Sequence, residues 1–138
     1  MSPASPAVGV GAVIVHEGRV ALVKRGKEPL RGRWLIPGGT VELGETLQDA
    51  LVREVSEETG LRVRPLEVVL VFDRILRDDR GIRYHYVIID FRCLYIGGEM
   101  TAGSDAAEAA WVCAEDLPAY DVPEQALELI RKVLATAS

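Results

Sequence analysis

Apolar residues fall into short runs along most of the chain, and each run is closed by glycine, proline or charged residues. Val8 to His16 and Arg19 to Arg25 are β-branched runs parted by Glu17-Gly18, which predicts a strand, a tight turn and a returning strand. Gly26 to Gly32 reads as a charged loop, and Trp34-Leu35-Ile36 as a short strand closed by Pro37-Gly38-Gly39. From Glu45 to Gly60 the apolar period lengthens to that of a helix. Thr46 is placed to cap its start, Asp49 stands three residues on, and Gly60 ends it. Val68 to Leu76 and Ile82 to Ile96 then read as strands joined by Asp78-Asp79-Arg80-Gly81. In the second of these, both alternating sets carry apolar groups (Tyr84, Tyr86 and Ile88; His85, Val87, Ile89 and Phe91), which predicts a mid-sheet strand covered on both faces. Gly97 to Ala107 is loop-like, Trp111-Val112 a short strand, and Pro123 opens a helix with Leu127, Ile130, Val133 and Leu134 on one side. Strands, helix, strands and helix around one sheet predict a three-layer α/β/α sandwich.

A chain of 138 residues is about one domain long, taken here as residues 8–138 behind a flexible tail at 1–7. The formal charge of −5 and pI near 5.1 argue against a nucleic-acid backbone as partner, leaving room only for a local basic patch facing a small anion. No apolar run approaches the roughly 20 residues that cross a bilayer, so no membrane partner is expected. The start, Met-Ser-Pro-Ala-Ser-Pro-Ala, lacks the pattern of a secretory signal. Cys93 and Cys113 read as reduced thiols, which together with that start predicts a cytoplasmic protein. His16, His85 and the two cysteines do not show the clustered spacing of a zinc site.

The helix at 45–60 carries its charges in an unexpected place. With Glu54 at zero on a wheel of about 100° per residue, Leu47, Ala50, Leu51 and Val55 form a stripe centred at roughly 35°. Glu54 and Glu58 fall inside that stripe and Glu57 at its edge. A surface pairing of Arg53 with Glu57 at i, i+4 accounts for those two residues alone. Carboxylates turned off the solvent face repel one another and lose hydration, a cost that a strong positive partner offsets. Three glutamates at i, i+3 and i+4 can converge on one point, and an all-oxygen anionic site suits Mg²⁺, or Mn²⁺ in its place.

Gly39, five residues, Glu45, seven residues, then Arg53-Glu54-Val55-Ser56-Glu57-Glu58-Thr59-Gly60-Leu61 resembles the Nudix box at every fixed and aliphatic position. Seven fixed identities at roughly 7% each give a chance match on the order of 10⁻⁸ per start position. The resemblance extends over most of the chain, through the opening hairpin, Trp34 to Gly39, and Trp111-Val112 before Asp116-Leu117-Pro118. It implies the Nudix α/β/α sandwich with a mixed central sheet. It also implies a Mg²⁺-dependent hydrolase that cleaves a nucleoside diphosphate linked to a group X by attack of water on phosphorus. An alternative within the same resemblance is a non-catalytic nucleotide sensor.

By the same resemblance Glu54, Glu57 and Glu58 match metal-ligand glutamates, joined by the Gly39 carbonyl, and Glu54 orients or deprotonates the attacking water. Arg53 matches the arginine that holds Glu57, and Glu45 the glutamate that supports the loop. Glu108 is a candidate further acid, with Asp105 a weaker one. Arg25, Lys27, Arg31 and Arg33 are candidates for holding phosphates, and Trp34, Phe72, Tyr84 and Tyr86 for stacking on a base, although such residues more often serve as solvated loop or core. The pattern looks like small bacterial ADP-ribose pyrophosphatases or mutator-type triphosphate pyrophosphohydrolases, yet Arg77 stands where many ADP-ribose enzymes carry proline. Small Nudix enzymes are frequently dimers, which adds a homodimer to the expectations.

Overall fold

A computed structural model describes residues 5–103 and 105–136. The predicted hairpin forms from β1 (Ala7–His16) and β2 (Arg19–Arg25). Glu17 and Gly18 both have positive φ (51° and 75°), as the mirror-image turn that suits strand twist requires. Strand β1 therefore takes in Ala7, which pairs with Tyr86; residues 1–4 of the expected tail lie outside the described residues.

After the short β3 (Trp34–Leu35), the segment expected to be a turn is instead a strand, β4 (Gly38–Thr40), antiparallel to β1. A Cβ on Gly38 would run into the Val10 carbonyl oxygen, so only glycine lets this backbone lie so close to β1. Helix α1 (Leu47–Thr59) follows, its Asp49 N–H donating to Thr46 Oγ1 at 3.1 Å and Gly60 closing it at φ 74°.

Strands β5 (Arg62–Asp78) and β6 (Gly81–Gly97) are both longer than expected and joined by a two-residue turn. β5 lies at the sheet edge, where the missing N–H of Pro65 is tolerated beside a register shift. β7 (Ala106–Cys113) also exceeds the expected Trp111-Val112, because pairing along β2 organises an alanine-rich run with little strand preference of its own. A 3₁₀ segment (Ala114–Ala119) and helix α2 (Glu124–Thr136) complete the chain.

The sheet order β3-β2-β1-β6-β5, with β4 also on β1 and β7 also on β2, is mixed: β1 and β6 are parallel from Ala7↔Tyr86 to Val15↔Leu94, and the other pairs are antiparallel. β6 is internal as expected, but Gly81 to His85 pairs only with β5, so this end of the hairpin reaches beyond β1. Alternation along β1 separates two cores. Val10, Ala12 and Ile14 pack with Ala50, Leu51 and Val55 of α1, while Val13 packs with Leu129, Ile130 and Val133 of α2. The expected three layers are present, one helix on each face.

Candidate functional site

Ala50, Leu51 and Val55 fix the rotation of α1 by burying in the first core, and that rotation turns Glu54 and Glu58 towards β4. Glu58 is buried, and its Oε1 accepts the Gly38 N–H at 2.9 Å. The Glu54 carboxylate occupies the space a Cβ on Gly39 would need. Glu57 is more exposed. The two glycines thus bring bare backbone against two carboxylates: at Gly38 the Val10 carbonyl leaves no room for a Cβ, and at Gly39 a Cβ would displace the Glu54 carboxylate.

Arg53 gathers the rest. Its guanidinium forks onto Glu45 (Nε–Oε2 2.8 Å, Nη2–Oε1 2.9 Å), donates to Glu54 Oε1 (2.6 Å), Glu57 Oε1 (3.2 Å) and the Thr40 carbonyl (3.0 Å). Glu45 in turn accepts the Glu42 N–H at 2.9 Å, which ties the loop before α1 to the arginine. The Arg53 hydrogen bond holds the Glu45 carboxyl down at about 2. Burial pushes Glu58 up to about 7, against the pull of Gly38 N–H and with a further push from Glu54. Burial also raises Glu54, with Arg53 opposing. For Glu54 and Glu58 the loss of hydration outweighs the hydrogen bonds each accepts.

Among the described residues no three acidic, His or Cys side chains stand in ready-made metal-ligand geometry. Arg53 draws Glu54 and Glu57 to itself, and Gly38 holds Glu58. The donor set nevertheless suits a hard divalent cation: the candidate ligands are all oxygens, and burial with the charge of neighbouring carboxylates leaves the Glu54 and Glu58 carboxyls raised.

Glu54, Glu57, Glu58 and Gly39 open onto a cavity of about 480 Å³ that runs across the α2 face of the sheet. Of the basic candidates, Arg25 and Lys27 line it, Arg25 Nε donating to the Pro29 carbonyl at 2.6 Å and Lys27 pairing with Asp105 at 2.8 Å. Arg31 and Arg33 do not line it. Arg33 is instead paired with Asp121 at 2.9 Å, tying the loop to the segment before α2. Glu108 sits in β7, exposed and 3.4 Å from Lys24, and does not line the cavity, because β7 extends through the segment expected to be a loop. Asp105, the weaker candidate, is the acid that reaches the cavity. Phe72, Tyr84 and Tyr86 form part of the wall, whereas Trp34 packs edge-on against Tyr120 at 4.9 Å in the second core.

Among the lining residues that sequence did not single out are an acid and a base inside the sheet. Asp90 is 4% exposed and Arg74 is half-buried over the Phe72 ring, 5.5 Å from its centroid. The available signal was an acid inside the apolar run Tyr86 to Phe91.

A family model described as NUDIX domain matches residues 5–133. An ADP-ribose pyrophosphatase of Methanocaldococcus jannaschii is 42% identical over 113 residues, covering 82% of this chain and 65% of that protein, just under two thirds of its length. A putative 8-oxo-dGTP diphosphatase 2 of Mycobacterium tuberculosis is 38% identical over 113 residues, 81% of this chain and 77% of its own. Among solved structures, a MutT NUDIX hydrolase from Burkholderia pseudomallei superposes with a TM-score of 0.80 at 29% identity, over 94% of this chain and 98% of that one.

Proposed function

This chain belongs to the NUDIX family of hydrolases, and on that premise we propose that it is a Mg²⁺-dependent pyrophosphohydrolase releasing a nucleoside monophosphate from an ADP-ribose-like or nucleoside triphosphate substrate. The observation that carries the reading is the approach of the Gly38-Gly39 backbone to Glu58 and Glu54 at one end of a cavity large enough for a nucleotide. The names of the relatives, an ADP-ribose pyrophosphatase and a putative 8-oxo-dGTP diphosphatase, support the substrate class.

Glu54 and Glu58, with Glu57 and the Gly39 carbonyl beside them, would hold the metal, with Mn²⁺ as a substitute for Mg²⁺. When bound, the ion supplies charge neutralisation at the phosphates and a water of lowered pKa. The chain's own groups do the positioning. Glu54, held by Arg53 on one oxygen, orients the attacking water and takes its proton. Arg53, buttressed by Glu45, fixes Glu54 and Glu57 relative to β4. Arg25 and Lys27 face the cavity and counter the charge of the diphosphate. Phe72, Tyr84 and Tyr86 offer flat walls for the base.

The same reading places the protein in the cytoplasm, supported by two free thiols, and as a homodimer. No helix among the described residues is long and apolar enough to cross a membrane. The test is turnover of ADP-ribose and a nucleotide triphosphate panel with Mg²⁺, followed as nucleoside monophosphate release. Hydrolysis abolished by EDTA and restored by Mg²⁺ is expected. Tight nucleotide binding without turnover would replace this reading by that of a sensor.

A further inference from the structure

Asp90 lies at the middle of β6, on the face that looks into the cavity, and is 4% exposed. Its register partners are Gly11 on β1 and Leu70 on β5. Among the described residues it accepts no hydrogen bond and joins no ion pair; the charge it feels is Arg74, which leans over Phe72 further along the wall. Because none of the sealed side-chain polar atoms among the described residues lacks a partner, the unpartnered carboxylate oxygens remain open to the cavity. Burial pushes this carboxyl up to about 6. A carboxylate kept off water, with no donor of the protein's own, costs stability and brings the fold no hydrogen bond in return.

The space for it is built. A Cβ on Gly11 would collide with Asp90 Oδ1 and stand 3.0 Å from Ile36 Cδ1, so glycine there leaves the carboxylate room between an apolar side chain and bare backbone. The flat wall is on the same ladder: Phe72 faces Ile88, Arg74 faces Tyr86 and Leu76 faces Tyr84, all on the face that carries Asp90. Gly11 also pairs with Gly38. The Asp90 backbone is therefore two strand spacings, on the order of 10 Å, from the strand that meets the glutamates, and its carboxylate leans over Gly11 towards that strand, within the same cavity as the glutamates.

We propose that Asp90 is the base-reading residue of this site, accepting N–H groups from the amino-bearing edge of a purine laid between the aromatic wall and the β1 backbone. This rests on the nucleotide reading above. An ionised carboxylate only accepts hydrogen bonds, so it favours an exocyclic amino group, alone in adenine or beside a ring N–H in guanine. Uracil turns carbonyl oxygens to the same place and is repelled. Arg74, half-buried over Phe72 and without an ion pair among the described residues, lines the same cavity further along the wall.

Titration calorimetry with the non-hydrolysable α,β-methylene analogues of ADP, GDP and UDP tests this without turnover. The wild type should bind the adenosine and guanosine compounds at least about tenfold more tightly than the uridine one, the size of one good side-chain-to-base pairing. Asp90→Asn should bring that ratio to within about threefold while the melting temperature stays level or rises, since a buried charge is removed. Equal affinities in the wild type, or an unchanged ratio in folded D90N, would overturn the assignment. If D90N does not fold, the wild type decides alone: the purine-riboside analogue lacking the 6-amino group must bind at least about fivefold more weakly than the adenosine one, and equal binding overturns it. Base preference without hydrolysis of any substrate would sink the pyrophosphohydrolase reading and keep Asp90; hydrolysis without base preference would do the reverse.

Discussion

Glu58 is where the demands of folding and of chemistry are most opposed. Its carboxyl titrates near 7 in the folded chain against an ordinary 4.5, so between those values the folded state holds a proton that the unfolded state has lost. Its contribution to stability is therefore intact below about pH 4.5 and falls as pH rises through 7, by up to on the order of 3 kcal/mol. Glu58→Gln removes the charge and keeps the Gly38 hydrogen bond possible. The metal-free variant should match the wild type at pH 4.5 and melt higher at pH 8, while kcat with Mg²⁺ falls at least about a hundredfold. Thermal melts at the two pH values and steady-state kinetics check both halves; an unchanged kcat would remove Glu58 from the site. This residue was legible from sequence because a helix wheel puts its angle inside an apolar stripe. Asp90 stood out only as a lone acid in an apolar run, and the run does not show which cavity that acid faces, because the neighbours that build the cavity, Gly11 and Leu70, are distant in sequence.

At the scale of elements, the end of α1 is coupled to the site through hydrogen bonds that sequence does not display. Thr101 N–H and Gly103 N–H donate to the Thr59 and Glu58 carbonyls at 2.9 Å each, so the loop between β6 and β7 closes the last turn of the helix. Gly60 sits between them at φ 74°, and a Cβ there would stand 2.8 Å from the Glu99 carbonyl oxygen. Gly60→Ala should cost about 1–2 kcal/mol for the left-handed backbone, plus whatever the displaced loop adds. Because that loop grips the residue that carries Glu58, kcat should fall with stability, where an ordinary surface cap would lower only the melting temperature. Denaturant unfolding together with kinetics at 25 °C separates the two. The caps themselves were readable, Thr46 and Gly60 being local signals. β4 and most of β7 were not, since Gly-Gly and an alanine-rich run become strands only through partners 27 or more residues away.

For the molecule as a whole, two covered faces and one long open edge decide what remains to be paired. Helices α1 and α2 seal the two sides of the sheet, but β5 leaves its outer edge free over seventeen residues. It also leaves Val68 and Val71 47% and 58% exposed, and an edge of that length with bare valines is a template for pairing with another chain. The hairpin end beyond Tyr86, which β1 does not reach, belongs to the same ridge. A second copy related by a two-fold axis would cover both, since a self-complementary patch pairs with itself. Sedimentation equilibrium at tens of micromolar should therefore show a species of twice 15.1 kDa, and Val71→Lys should return it to the monomer by placing like charges across the axis. Turnover in the monomeric variant should persist, because the glutamates, Arg53 and the cavity all come from one chain. Wild type sedimenting only at 15.1 kDa would leave β5 an edge protected by its flanking charges, Glu67, Asp73 and Asp78, instead of by a partner.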